Sequence, residues 1–100
     1  MSDVLARYLG LGLRARSVVV GVSGVRAGLQ RDELACVVVA GDATERTRDK
    51  VERLAVARGI PVLRGPAAGV LGAGLGRPPV QAVGVSDPAL ARGMMQALEE

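Results

Sequence analysis

Short apolar runs alternate with amphipathic stretches along the chain. Four runs, at residues 17–20, 34–40, 60–63 and 80–85, are brief, apolar and partly β-branched, which is typical of strands. Between them, apolar residues recur at spacings of three and four, which predicts helices. Helices that alternate with four strands predict an α/β fold of three layers, an α/β/α sandwich.

The helix after the second strand has the clearest signals. Asp42 and Glu45 have the spacing of a capping box at a helix N-terminus. Apolar side chains at 51, 54 and 55 then form one stripe, and Gly59 supplies a stop. We therefore predict a strand followed by a capped helix in this part of the chain.

Caps, prolines and glycines mark the other helices. The first is expected after Ser2 or Asp3 and should fray by about Leu13, because glycines weaken it. The second is expected at residues 22–30, and the fourth from Pro66 to about Ala73. The last opens at residues 87–88 and carries apolar side chains at 90, 94 and 98 on one side.

The composition limits the kind of protein. The 100 residues are enough for one core, so we expect a single domain, residues 1–100. The sequence has no histidine, and its one cysteine, Cys36, lies in the most apolar run, as is typical of a core thiol. The most common general base and transition-metal ligand is therefore missing, and we expect no enzyme activity, no cofactor and no metal site.

The chain carries a small excess of positive charge. Thirteen basic residues face ten acidic ones, giving a net charge of +3 and a pI near 10.0, which is compatible with a polyanionic partner. No basic region precedes an apolar stretch at the start, and the longest apolar run, residues 34–40, has seven residues, against about 20 needed to span a bilayer. We therefore expect a cytoplasmic protein without a membrane partner.

A glycine-opened helix start follows directly on the first strand, at residues 21–28. Amide groups at a helix N-terminus are unpaired and attract phosphate oxygens, so this segment is a candidate binding site. One interpretation is a nucleotide-binding unit in which Asp42, twenty-one residues after Gly21, binds a ribose hydroxyl. The glycines at 21, 24 and 28 do not follow the G-x-G-x-x-G spacing, however, and a helix cap is the simpler role for Asp42.

Several segments of the sequence, taken in order, resemble one known family. They are residues 9–16 (LGLGLRAR), 18–21 (VVVG), 37–44 (VVVAGDAT), 59–62 (GIPV), 71–77 (LGAGLGR), 80–85 and the helix that opens at Ser86 and Asp87. Together they resemble the kink-turn RNA-binding ribosomal protein family, which includes the archaeal ribosomal protein L-seven-A-e and its L-thirty-e relatives. The resemblance covers nearly the whole chain. It implies an α/β/α sandwich around a mixed four-stranded sheet, in a bacterial ribosome-associated protein that binds structured RNA, ribosomal RNA in particular.

The resemblance also implies two RNA-binding segments. Family members contact sheared G·A pairs and phosphates through a Gly-x-Asn-Glu stretch and a basic residue one turn later, and they cover a flipped-out nucleotide with an apolar loop. Here the first segment falls on residues 21–24, with Ala27 at the basic position, and the second falls on residues 76–80. With the arginines nearby, the candidate RNA-binding residues are Gly21, Val22, Ser23, Gly24, Arg26, Arg14, Arg16, Arg77, Pro78, Pro79 and Val80.

The sequence departs from the family pattern at the base-reading positions. Its Asn, Glu and Lys are absent, so we expect mainly phosphate contacts, with reduced sequence specificity for kink-turn-like RNA. Simpler roles are a solvated surface arginine for Arg26 and a rigid connector for residues 78–79. A protein interaction or scaffolding module on the same fold is the alternative, with a protein partner or a homodimer formed through the last helix near Met94 and Met95.

Overall fold

A computed structural model describes the backbone of residues 3–99 and the side chains of residues 4–98. Within that range the elements are α1 (Asp3–Arg14), β1 (Val18–Val20), α2 (Val22–Gln30), β2 (Cys36–Val39), α3 (Glu45–Ala57), β3 (Val62–Arg64), α4 (Ala68–Gly74), β4 (Ala82–Val85) and α5 (Pro88–Glu99). The strands form one sheet in the order β1-β4-β2-β3. Strand β4 is antiparallel to both of its neighbours, whereas β2 and β3 are parallel, so the sheet is mixed.

Two helical layers cover the sheet. Side chains of a strand point alternately to the two faces of a sheet. Gly12 of α1 lies against the side chain of Val18, and Gly24 of α2 lies against that of Val19. Helices α1 and α5 pack together, as do α2 and α3. The predicted α/β/α sandwich with a mixed four-stranded sheet is therefore confirmed.

The core lies around the two central strands. Every residue of β2 and β4 is buried, whereas the edge strands β1 and β3 are largely half-buried. Cys36 is among the fully buried residues, as the sequence predicts, and burial raises the pKa of its thiol to about 11. Met94 is fully buried as well, but Leu98, predicted on the same side of α5, is 39% exposed.

We expect the Cys36 thiol of the folded protein to react with iodoacetamide at least about a hundredfold more slowly than that of the unfolded chain at about pH 8. The reason is that burial raises the pKa from 9.0 to about 11, and each unit removes nine-tenths of the thiolate. The free energy of unfolding should also fall as the pH rises from about 9 towards 11, because the unfolded chain releases this proton first. Mass spectrometry after alkylation with and without denaturant measures the ratio, and equal rates would contradict a buried thiol.

The strands are shorter than the sequence predicts. Each begins one or two residues later, and at two of them the first predicted residue bonds to a helix. The N–H of Ile60 donates to the carbonyl of Ala55 in α3 (2.9 Å). The N–H of Val80 donates to the carbonyl of Ala68 in α4 (3.0 Å). The first bond completes the C-terminal end of α3, and the second ties the loop before β4 to the start of α4.

The helix limits differ from the sequence predictions in two places and agree with them in a third. Helix α1 continues to Arg14 instead of fraying by Leu13, and its predicted caps lie outside the described side chains. Helix α4 begins at Ala68 rather than Pro66, whose carbonyl accepts a hydrogen bond from the N–H of Gly41 (2.8 Å). The stop predicted at Gly59 is confirmed, since α3 ends at residue 57 and Gly59 has a positive φ of 70°.

The N-terminus of α3 corrects the predicted capping box. The cap is Thr44, whose side-chain oxygen accepts a hydrogen bond from the N–H of Thr47 (3.1 Å). Asp42 lies two residues too early for this role and instead accepts a hydrogen bond from α4. The strand-then-helix prediction is correct, but the wrong side chain was assigned to its cap.

Candidate nucleic-acid interface

Four chain segments meet at one edge of the sheet. The antiparallel pairing of β4 brings its start beside the ends of β1 and β2. The N–H of Gly21 donates to the carbonyl of Ala82 (2.9 Å), and the N–H of Ala40 donates to that of Gln81 (2.8 Å). The parallel β3 ends on the same side. We call this surface, made of residues 21–24, 40–44, 64–66 and 76–82, the Gly21 edge.

The start of α2 exposes amide groups at this edge. Gly21 is the N-cap, with φ 103° and ψ 155°, a conformation that side chains rarely allow. No side-chain cap hydrogen bond is present, so the amides of Val22, Ser23 and Gly24 lie at an open helix N-terminus. The amide of Gly21 is already bonded to Ala82, so three amides rather than four face outward.

Gly24 has a packing role within this turn. A Cβ atom added at Gly24 would overlap Cγ1 of Val19, the middle residue of β1. Valine is β-branched and cannot easily rotate that methyl group away. The space where a side chain at position 24 would begin is therefore filled by Val19.

Arg26 lies on the second turn of α2 and is only partly exposed. Its Nε atom is shielded from solvent and has no hydrogen-bond partner among the described residues. This burial does not fit the simpler interpretation of a fully solvated surface arginine. Ala27, at the basic position of the family pattern, is half-buried and supplies no charge.

The 77–80 loop is fixed to α4. Arg77, Pro78 and Pro79 are exposed, whereas Val80 is buried. The N–H of Arg77 donates to the carbonyl of Gly72 (2.8 Å), and the Cα of Gly72 lies so close to the carbonyl of Pro78 that no Cβ atom fits between them. The loop therefore presents two exposed prolines and one cation. Val80, a predicted RNA contact, instead packs into the core, so the apolar surface of this segment comes from Pro78 and Pro79.

Asp42 connects the β2–α3 turn to α4. Its Oδ1 accepts a hydrogen bond from the N–H of Ala68 (2.7 Å), the first residue of α4. The carbonyl of the same Ala68 accepts from the N–H of Val80. Asp42 is therefore linked to the 77–80 loop through a single residue, which makes it a positioning residue for the loop.

Replacing Asp42 with alanine should lower the free energy of unfolding by about 1 kcal/mol, because it leaves the α4 N-terminus without an acceptor. The amide NMR signals of Ala68 and Val80 should shift together. Asp42→Asn keeps an acceptor oxygen and should preserve both signals. Thr44→Ala, which removes the α3 cap, should cost a similar amount without moving them. Unmoved signals in Asp42→Ala would contradict the positioning role.

The structure does not bring Arg14 and Arg16 to this surface. Both precede β1, whose start lies beside the end of β4, where the N–H of Ser86 donates to the carbonyl of Ser17 (2.8 Å). The three residues of β1 separate this end from Gly21 by about 10 Å. The two arginines remain predicted RNA contacts, but they belong to the opposite edge of the sheet.

Two arginines at the Gly21 edge were not predicted from the sequence. Nη2 of Arg48 and Nη2 of Arg64 both donate to the carbonyl of Gly41, at 2.9 and 3.2 Å. The position of Arg64 directly after the apolar run at residues 60–63 is a signal that could have indicated it. For Arg48 the only signal is its spacing of four from Glu52 on the same helix.

The described part of the chain offers no metal site and no membrane span. Among residues 3–99, no three His, Cys, Asp or Glu side chains come together as a metal-ligating group. No helix in the same range is both long enough and apolar enough to cross a bilayer.

Solved structures share this architecture. A protein of unknown function from Bacillus halodurans is 26% identical and superposes with a TM-score of 0.90, with both chains covered completely. The Giardia lamblia 15.5kD RNA binding protein is 14% identical, with a TM-score of 0.76 over 96% of this chain and 82% of that one. The second likeness shows the fold alone. No curated protein sequence matches the chain significantly.

One protein-family profile matches residues 3–94, which is nearly the whole chain. The match spans the Gly21 turn, the β2–α3 turn and the 77–80 loop, so it includes both predicted RNA-binding segments. It confirms the resemblance drawn from the sequence. The chain belongs to the Ribosomal protein L7Ae/L30e/S12e/Gadd45 family, a family of non-catalytic proteins.

Proposed function

We propose that this protein is a cytoplasmic, ribosome-associated protein that binds structured RNA, kink-turn-like RNA included, with reduced specificity through the Gly21 edge. The observation that carries the proposal is the position of the two segments. The open start of α2 is bonded to the start of β4, where the N–H of Gly21 donates to the carbonyl of Ala82, and the 77–80 loop leads directly into the same strand. Membership of the family supports RNA as the class of partner.

The groups at this edge favour contacts with phosphates over contacts with bases. Amides at a helix N-terminus bind phosphate oxygens, and the cations of Arg26 and Arg77 add charge on either side. The apolar 77–80 loop can cover an unstacked base without reading its identity. Position 24, which would read a guanine edge in the family pattern, has no side chain and no space for one.

Binding should therefore be weak, sensitive to salt and poorly selective. We expect the affinity for a kink-turn RNA to fall by about tenfold between about 50 and 200 mM salt, because about two phosphates are neutralised. The ratio of dissociation constants for an unbent duplex and the kink-turn RNA should be close to one. Fluorescence anisotropy over a salt series measures both quantities.

Amide NMR spectra locate the contact. At low salt, RNA should shift the signals of residues 22–24 and 77–80 together, while those of the 31–33 loop at the opposite edge serve as internal controls. No shift in either segment would contradict the proposal. A homodimer or a protein complex that sedimentation shows to be unaffected by RNA would favour the scaffolding alternative instead.

A further inference from the structure

A cleft of about 230 Å³ lies beside the Gly21 edge, between α3 and the edge strand β3. Its walls include the apolar side chains of Val56 and Val62, and Val56 is 73% exposed despite its hydrophobicity. Arg48, Glu52 and Arg64 supply the polar part of the lining. Pockets for drug-sized ligands begin at about 300 Å³, so this cleft fits a smaller molecule or part of a larger one.

Hydrogen bonds hold the two arginines of the cleft in place, but its three charged groups are not paired with one another. The carbonyl of Gly41 accepts one hydrogen bond from Arg48 and one from Arg64, which places the two guanidinium groups side by side. The Nε atom of Arg48 is shielded from solvent and has no acceptor. Among the described side chains, the half-buried carboxylate of Glu52 has no hydrogen bond and no ion pair. The cleft therefore combines unused donors with an unused acceptor.

This combination matches one nucleobase better than the others. A guanidinium group donates to two adjacent acceptors, and a carboxylate accepts from two adjacent donors. Guanine has an acceptor pair, O6 and N7, and a donor pair, N1–H and N2–H. Adenine, cytosine and uracil lack one or both of these pairs. The exposed side chain of Val56 and the half-buried one of Val62 provide an apolar surface for the face of the ring.

We propose that the cleft between α3 and β3 binds a guanine base, with Arg48 and Arg64 donating to O6 and N7 and Glu52 accepting from N1 and N2. The base could come from a free guanine nucleotide or from an unpaired guanosine in bound RNA. Only the second source rests on the proposed function. The contact lies on the α3 side of the sheet, separate from the 77–80 loop.

The test uses the full chain, labelled with ¹⁵N and titrated separately with the four ribonucleoside monophosphates and with inorganic phosphate. Guanosine monophosphate should shift the amide signals of Gly41, Arg48, Val56 and Arg64 and bind at least about tenfold more tightly than the other nucleotides. Inorganic phosphate should not reproduce these shifts. Equal affinities for all four nucleotides, or the same shifts with phosphate, would overturn the proposal.

A charge-matched pair of variants tests the residue assignment. Glu52→Gln should reduce the preference for guanine to about twofold or less, since an amide accepts with only one atom. Glu33→Gln changes the charge equally in the exposed loop at the opposite edge and should leave the preference intact. A Glu52→Gln protein that keeps the full preference would overturn the assignment.

An oligoadenylate with a single guanosine separates the two sources. Binding of this oligonucleotide more tightly than the free nucleotide supports a base within RNA, whereas binding of the nucleotide alone supports a free ligand. If the protein binds kink-turn RNA but shows no preference for guanine, only this inference is overturned. If the protein prefers guanine but does not bind kink-turn RNA, only the proposed function is overturned.

Discussion

Replacing Gly72 with alanine is expected to lower the free energy of unfolding by about 2–3 kcal/mol, because α4 and the 77–80 loop cannot both keep their positions. An added Cβ atom would overlap the carbonyl group of Pro78 and lie 3.0 Å from the carbonyl oxygen of Arg77. These are backbone atoms, which cannot rotate away as a side chain can. A decrease in the free energy of unfolding would be informative, because replacing glycine with alanine in an exposed helix normally stabilises a protein by about 1 kcal/mol.

Gly69 in the same helix provides the matched control. A Cβ atom at Gly69 would have no atom within 4 Å, so Gly69→Ala should stabilise the protein by about 0.5–1 kcal/mol. Thermal unfolding should show a decrease of about 10–20 °C for Gly72→Ala and a small increase for Gly69→Ala. Gly72→Ala should also shift the amide signals of the loop and weaken RNA binding. A Gly72→Ala protein as stable as the original would contradict the close packing.

Local patterns were enough to predict the order of elements and the sandwich. Each strand coincides with a short apolar run, and Gly59 marks the end of α3, because these signals depend on residues close together in the sequence. The errors occur where distant residues compete for the same backbone groups. Asp42 had the right residue type for a cap but caps α4, twenty-six residues away, instead of α3. No local signal distinguishes the two roles.

At the candidate site, too, the sequence predicted single segments but not the contacts between distant residues. The sequence indicated the Gly21 turn and the 77–80 loop as separate segments, whereas their proximity depends on the antiparallel pairing of β4 with β1. The sequence also showed that Gly24 lacks a base-reading side chain, but not that Val19 fills the space. Arg48 of α3 and Arg64 of β3 both donate to the carbonyl of Gly41, which follows β2. Because the three residues lie in different parts of the chain, no spacing in the sequence reveals this arrangement.

Because Val19 fills this space, adding a base-reading glutamate at position 24 requires a second change. Gly24→Glu alone should destabilise the protein by about 1–3 kcal/mol, since its Cβ atom overlaps the Val19 side chain. Val19→Ala alone should cost about 1–2 kcal/mol through lost burial. The double variant should be close in stability to Val19→Ala, because the overlap is gone. Denaturant unfolding of the four proteins measures this coupling, and simple additivity would contradict the contact.

On the Val19→Ala background, restoring the family pattern with Ser23→Asn, Gly24→Glu and Ala27→Lys should create kink-turn selectivity. Base-edge contacts are each worth about 1–3 kcal/mol, so the ratio of dissociation constants for an unbent duplex and a kink-turn RNA should rise from near one to at least about tenfold. Anisotropy titrations of both RNAs at one salt concentration measure the ratio.

Ala27→Lys alone is the matched control, since a lysine on a phosphate strengthens binding to both RNAs and leaves the ratio unchanged. The new carboxylate at position 24 should weaken binding to the unbent duplex, where it meets phosphates without a guanine edge to accept from. Selectivity in the lysine variant alone would show that charge, rather than base reading, distinguishes the RNAs. A folded four-substitution protein with a ratio still near one would show that the Gly21 turn does not face the bent RNA.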